Sequence, residues 1–179
     1  MTIKVLEKTP GCFPMEIEKG DWFDLFLAED VRLNAPQANK MHIRNKGKQN
    51  ETEVRTRDVD FHSCIAKLGV AVQLPKGHEA IVIPRSSTFK KYGILQSNSE
   101  GLIDNSYCSS EDEWKMPMVA TRAMVIPKGT RVAQFRIQLS QKATVWQKIK
   151  WLFSSKPKLI RVDSLDNETR GGFGSTGTN

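Results

Sequence analysis

The sequence predicts an all-β domain, a barrel or sandwich, on three observations. Short apolar runs recur along the chain, Pro-Lys-Gly and similar turns separate them, and Arg131 to Leu139 alternates with a period of two. In that last segment Ala133, Phe135, Ile137 and Leu139 share one face, and Gln134, Arg136 and Gln138 the other.

The other elements follow in order. Ile3 to Glu7 reads as a short strand ended by Thr9-Pro10-Gly11, and Lys19-Gly20-Asp21 turns into the aromatic run Trp22 to Phe26. Asn34 to Arg57 is polar and basic, a long loop or an exposed hairpin. Val70 to Leu74 alternates as a half-buried strand before Pro75-Lys76-Gly77, and Glu79 to Ile83 is a further run stopped by Pro84. Phe89 to Tyr92 reads as a helical turn, and Gly93-Ile94-Leu95 leads towards Gly101-Leu102-Ile103-Asp104. Cys108 to Glu113 is an acidic, Ser-rich excursion, after which Trp114 to Ile126 resumes strand character. Val145, Ile149 and Leu152 at helical spacing predict one amphipathic helix over Thr144 to Phe153, capping a core or a subunit face rather than lying on a membrane. Leu159 to Val162 is expected as a last strand.

With 179 residues, 39% hydrophobic and 26% charged, the chain fits one globular domain. It has no apolar run long enough for a membrane helix and no secretory h-region at Met1 to Val5. Three cysteines without a Cys-x-x-Cys pair point to free thiols and a cytoplasmic location, and His62-Ser63-Cys64 reads as structural. The net charge of +7 is concentrated in two stretches, so stable nucleic-acid binding is not expected from it. A zinc nucleobase deaminase is excluded by the absence of His-x-Glu and Pro-Cys-x-x-Cys, and a P-loop NTPase by the absence of a Walker A loop.

The stretch that organises the rest is Gly101 to Tyr107. Read as a strand running into a tight turn, it anchors the backbone through Leu102 and Ile103 and leaves Asp104 and Tyr107 at the bend. A carboxylate and a flat ring presented together suit a planar polar ligand and a proton transfer beside it. The tail, Arg170 to Gly177, sets one aromatic ring and two hydroxyls among glycines. Such a segment is a flexible end on its own, yet its backbone amides can wrap phosphate oxygens.

Five blocks stand in order along the chain: Asp24-Leu25, Pro84-Arg85-Ser86-Ser87, Gly101-Leu102-Ile103-Asp104 with Tyr107, Gly129 to Gln134, and Gly172 to Gly177. Together they resemble the motifs of the trimeric dUTP diphosphatase (dUTPase) family. The basic 34–57 stretch, the excursion after Tyr107 and the Trp146 to Phe153 segment resemble longer bacterial and phage-like members. The resemblance implies a distorted jelly roll (β-clip) over residues 1–165, with insertions near 34–57, 108–113 and 143–156, and a flexible arm over 166–179 that closes over an active site. It implies a homotrimer with shared sites, and Mg²⁺-dependent water attack on the α-phosphorus of dUTP. The products, dUMP and pyrophosphate, would limit uracil in DNA and supply thymidylate synthesis.

Carried over by position, Asp104 is the expected general base, and Tyr107 stacks under the deoxyribose and leaves no room for a 2′-hydroxyl. Asn98 and the backbone of Gly101, Leu102 and Ile103 read the uracil edge, with Lys115 a further substrate contact. Arg85, Ser86, Ser87 and Gln134 contact phosphates. Phe173 closes over the base while Arg170, Gly174, Ser175 and Thr176 grip phosphates. Asp24 supports the metal through water or orients a neighbour. Arg170 lies three residues before Phe173 where the family usually has its arginine five before, and Glu168 stands there instead. The alternatives are a dCTP deaminase-like enzyme of the same fold and a catalytically weak nucleotide-sensing or partner-binding module. Plain binding of nucleic acid by a β-barrel is a third.

Overall fold

The computed structural model describes residues 1–169, 171 and 172. Among them, fifteen strands and two short helices follow one another along the chain. The strands are β1 (Thr2–Glu7), β2 (Met15–Glu16), β3 (Phe23–Phe26), β4 (Val31–Leu33), β5 (Gln37–Arg44), β6 (Val54–Asp60), β7 (Ser63–Lys67) and β8 (Val70–Gln73). After them come β9 (His78–Pro84), helix α1 (Thr88–Tyr92), β10 (Ile94–Gln96), β11 (Gly101–Asp104), β12 (Lys115–Ala120), β13 (Met124–Ile126) and β14 (Arg131–Leu139). Helix α2 (Val145–Leu152) and β15 (Lys158–Val162) are the last elements among the described residues. The expected all-β jelly roll is the fold observed.

The largest sheet has the order β11-β9-β14-β3-β2, and two three-stranded sheets, β15-β1-β8 and β10-β12-β7, enclose the core with it. β14 is central because its alternation works on both flanks. Its even-spaced residues Phe135 and Ile137 are buried, while Arg136 between them is exposed. A register shift between Arg131 and Ala133 breaks the strict period and turns both Val132 and Ala133 inwards. Phe135 stacks on Phe23 at 5.2 Å and meets the edge of Trp114 at 5.0 Å, so three aromatic rings from three strand regions tie the core together.

The 34–57 insertion is the hairpin alternative: β5 and β6 pair only with each other, and every residue of both strands is exposed. Two expectations need correction. β8 is buried on both faces, since Ala71 is as fully buried as Val70 and Val72; an apolar methyl carries no penalty for having its face covered. Leu102 does not anchor the backbone. It is 63% exposed while Ile103 packs partly on the core, because neighbouring strand residues point to opposite faces.

Helix α2 forms where periodicity places it, started by a capping box in which Thr144 and Gln147 satisfy each other's backbone amides. It does not cap the core of this chain. Trp146, Leu152 and Phe153 are 79%, 78% and 86% exposed, and the helix is held instead by Gln147 and Trp151. Gln147 Nε2 donates to the Lys76 carbonyl at 2.8 Å, and Trp151 lies against His78 at 5.4 Å. The amide of Gln147 sits where a Cβ at Gly77 would be, within 2.6 Å, and Gly77 also has φ +77°, so only glycine fits that turn. No described helix is long and apolar enough to cross a membrane.

Candidate active site

Of the residues singled out in the sequence, Asp24, Arg85 and Gln134 gather at the C-terminal end of β9 and Asp104 lies opposite its N-terminal end, with Gly101 opposite Val82 between them. At the C-terminal end, Asp24 on β3 faces Gln134 on β14, which in turn faces Ile83 on β9. The Asp24 carboxylate is completely buried. Arg85 Nε lies 2.8 Å from its Oδ1, a close ion pair without an aligned hydrogen bond, and Arg131 Nη1 donates to Oδ2 at 3.1 Å. The Arg85 backbone is fixed by an N–H bond to the Val132 carbonyl (3.1 Å), the same carbonyl that accepts from Thr88 Oγ1 at 2.8 Å. Ser86 is exposed and Ser87 half-buried beside α1, and the Ser87 hydroxyl makes no capping bond to the helix. The result is a shelf of two guanidinium groups on one buried carboxylate, with the hydroxyls of Ser86 and Ser87 directly after Arg85 in the chain, a set suited to phosphate oxygens.

At the other end, β11 pairs with β9 so that Asp104 lies opposite Glu79. Ser106 closes the turn by donating to Asp104 Oδ1 from its backbone N–H (2.8 Å) and from its hydroxyl. Tyr107 follows through an N–H bond to the Asp104 carbonyl at 3.2 Å. Its hydroxyl donates to the Glu113 carbonyl at 2.9 Å, which locks the ring against the core edge. Burial, and then the nearby Asp112 and Glu113 charges, push the Tyr107 phenol above its ordinary value, so it remains a donor at neutral pH. Burial likewise pushes up the thiols of Cys12, Cys64 and Cys108, which leaves them poor nucleophiles.

The excursion 108–113 has a job that its composition did not reveal. Buried Asp112 accepts from the Ser109 N–H at 3.0 Å and from Thr169 Oγ1 at 2.6 Å, and Ser110 Oγ accepts from the Leu165 N–H at 2.8 Å. Asn167 Nδ2 donates to the Cys108 carbonyl at 3.3 Å. These bonds seat the root of the C-terminal segment beside Tyr107, and a Cβ on Gly172 would stand 3.4 Å from the Tyr107 hydroxyl. Arg170, Phe173, Gly174, Ser175 and Thr176 lie outside the described residues.

Asn98 sits in the exposed turn after β10, and Lys115 opens β12, whose register against β10 sets Gln96 opposite Met118. Both therefore lie at the end of the β10–β12 pair next to β11. Sequence reasoning missed Arg131 as a site residue, although it stands within the fourth block. Its sole signal is structural, the shared carboxylate.

The two groups do not meet within one chain. From Glu79, opposite Asp104, to Arg85 is six residues of extended strand, roughly 20 Å at about 3.3 Å per residue. A metal cage is also lacking: no three His, Cys, Asp or Glu side chains converge among the described residues, and both oxygens of Asp24 face arginines. The donor set fits an ion carried by a ligand's phosphates and not one held by protein carboxylates.

Comparison with known proteins bears on the family and the fold. The dUTPase family model matches residues 51–177. The chain is 40% identical over 176 residues to the SPbeta prophage-derived deoxyuridine 5′-triphosphate nucleotidohydrolase YosS of Bacillus subtilis, covering 98% of this chain and 96% of that protein. It is 33% identical to the deoxyuridine 5′-triphosphate nucleotidohydrolase of Hydrogenobaculum, covering 65% of this chain and 72% of that one. Among solved structures, the dUTPase from Streptococcus mutans superposes with a TM-score of 0.59 at 18% identity, covering 80% of this chain and 99% of its own. A dUTPase of phage phi11 of S. aureus, described with a coordinated structural Mg(II) ion, superposes with a TM-score of 0.57 at 15% identity, covering 81% and 95%. The chain belongs to the dUTPase family.

Proposed function

We propose that the chain is a dUTP diphosphatase, hydrolysing dUTP to dUMP and pyrophosphate by water attack on the α-phosphorus. The observation that carries the reading is the meeting of Asp104, Tyr107 and Gly172: a carboxylate, a fixed ring, and the segment leading into the Gly-rich tail share one corner of the fold. In this reading Asp104 takes the proton of the attacking water, with one of its oxygens fixed by Ser106. Tyr107, tied at its hydroxyl, offers its ring face to the deoxyribose and excludes a 2′-hydroxyl. Asn98 and the backbone of residues 101–103 read the uracil edge, and Lys115 adds a polar contact. Arg85, Ser86, Ser87 and Gln134 neutralise phosphate charge, and Arg170 with Phe173 to Thr176 would complete the closure. Mg²⁺, when bound with the triphosphate, would supply charge neutralisation at the phosphate oxygens.

The roughly 20 Å between Asp104 and Arg85 along β9 exceeds what a base at the α-phosphorus and a clamp on the same phosphates allow. Each site therefore combines Asp104 of one subunit with Arg85 of another, in a homotrimer. Product analysis tests the chemistry. With Mg²⁺, dUTP alone among dUTP, dCTP, dTTP and UTP is expected to yield monophosphate and pyrophosphate; ammonia from dCTP would move the chain to the deaminase reading. A subunit-mixing experiment tests the sharing. Asp104→Asn and Arg85→Ala proteins, each inactive alone, should regain about a quarter of wild-type activity after unfolding and refolding at equal ratio, since one pairing in four unites two intact residues. Absence of any regain would place both groups in one subunit.

A further inference from the structure

The last residue of β10, Gln96, is buried in a position where a polar amide is costly. Its Nε2 lies 3.2 Å from the Val82 carbonyl on β9 and 2.9 Å from Asn98 Oδ1 in the following turn. A backbone carbonyl only accepts, so the atom of Gln96 facing Val82 has to be the amide nitrogen; the orientation is chemically determined. The second proton of that nitrogen then goes to the oxygen of Asn98. With its oxygen engaged, Asn98 is left to present its own Nδ2, a pure donor.

Two further features show that the amide is held there against a penalty. Gln96 Oε1 is buried and makes no hydrogen bond among the described residues, which is unfavourable for an acceptor taken out of water. Gly101, opposite Val82 in the β11–β9 register, has no side chain where one would press on the cluster. A Cβ there would stand 3.4 Å from Gln96 Nε2 and 3.3 Å from Val82 Cβ.

We propose that Gln96 is a positioning residue for base specificity. It pins the Asn98 amide with its nitrogen outward, so that the site offers a donor to the 4-position of a pyrimidine. A 4-oxo group accepts from that donor, whereas a 4-amino group sets donor against donor. The chain Val82 carbonyl, Gln96 amide, Asn98 amide thereby extends the discrimination of uracil from cytosine into the buried β9–β10 contact. The inference rests on the dUTP reading above and names the buried group that fixes its base selectivity.

The experiment measures kcat and KM for dUTP and dCTP hydrolysis, together with melting temperature, in the full-length protein and two variants. Gln96→Met keeps length and removes both donors. Its KM for dUTP is expected to rise several-fold, with a smaller change in kcat. Its preference for dUTP over dCTP, as the ratio of kcat/KM values, should fall by about tenfold. Gln96→Glu keeps the shape and, when ionised, reverses the polarity, drawing the Asn98 nitrogen inward and its oxygen outward. The dUTP preference should fall further in that variant than in Gln96→Met. An unchanged preference in both variants, with or without a lower melting temperature, overturns the proposal, because a merely structural residue would move only stability. Failure of the wild-type protein to hydrolyse dUTP would instead overturn the reading on which the proposal rests.

Discussion

Replacing Asp104 with asparagine is expected to lower kcat for dUTP by about 10³–10⁴-fold while leaving nucleotide binding within a few-fold of wild type. The argument is local. The amide has the shape of the carboxylate, and its oxygen can still accept from the backbone N–H and hydroxyl of Ser106, so the turn into Tyr107 keeps its geometry. What is lost is the ability to take a proton from water. Pyrophosphate release in single-turnover mixing reads the chemical step, and calorimetric titration with a non-hydrolysable dUTP analogue reads binding. Retention of more than a tenth of the wild-type rate would remove Asp104 from the role of base. The half-buried setting of Asp104 at a strand end, and not in the core, predicts a melting temperature close to wild type.

How much of this was legible before the structure depends on the distance over which the information is written. The β14 alternation and the turn at Asp104 to Tyr107 are local patterns, and the observed elements follow them. The bulge that turns Val132 and Ala133 inwards together is set by pairing with β3 and leaves no mark on the alternation. Helix α2 shows the same limit. Its periodicity and Thr144 cap are local and correct, but which face is covered depends on what lies across from it. In this chain the contacts come through Gln147 and Trp151, one helical turn apart, while Trp146, Leu152 and Phe153 face outward. In the candidate site, Asp104, Tyr107, Arg85 and Gln134 stand out through chemistry that adjacent residues display. Arg131 and Gln96 do not, because their partners are Asp24 and Asn98 or Val82, reached across strands or through a turn. The separation of the Asp104 corner from the arginine shelf is likewise a property of strand register, invisible in an ordered set of motifs.

The arginine shelf supplies the second large effect. Asp24→Asn should destabilise the protein by about 2–4 kcal/mol, because Arg85 and Arg131 keep their positive charges around a buried site that no longer answers them. The lower part of the range for a broken buried pair applies because the two side chains are 25% and 42% exposed, so water screens part of the loss. In a chain of this size each kcal/mol shifts the melting temperature by about 2–4 °C, which makes the change easy to read in a thermal melt. Turnover should fall too, by about 10–100-fold in kcat/KM for dUTP, since guanidinium forks without a fixed carboxylate lose the orientation that meets phosphate oxygens. The Mg²⁺ dependence separates the two roles expected for this residue. If Asp24 orients the arginines, the concentration of Mg²⁺ giving half-maximal activity stays where it is in the wild type while the plateau drops. If it supports the metal through water, the activation curve moves to higher Mg²⁺. Full burial of the carboxylate, with one arginine on each oxygen, favours the first outcome, and a shifted curve would reassign Asp24 to the metal.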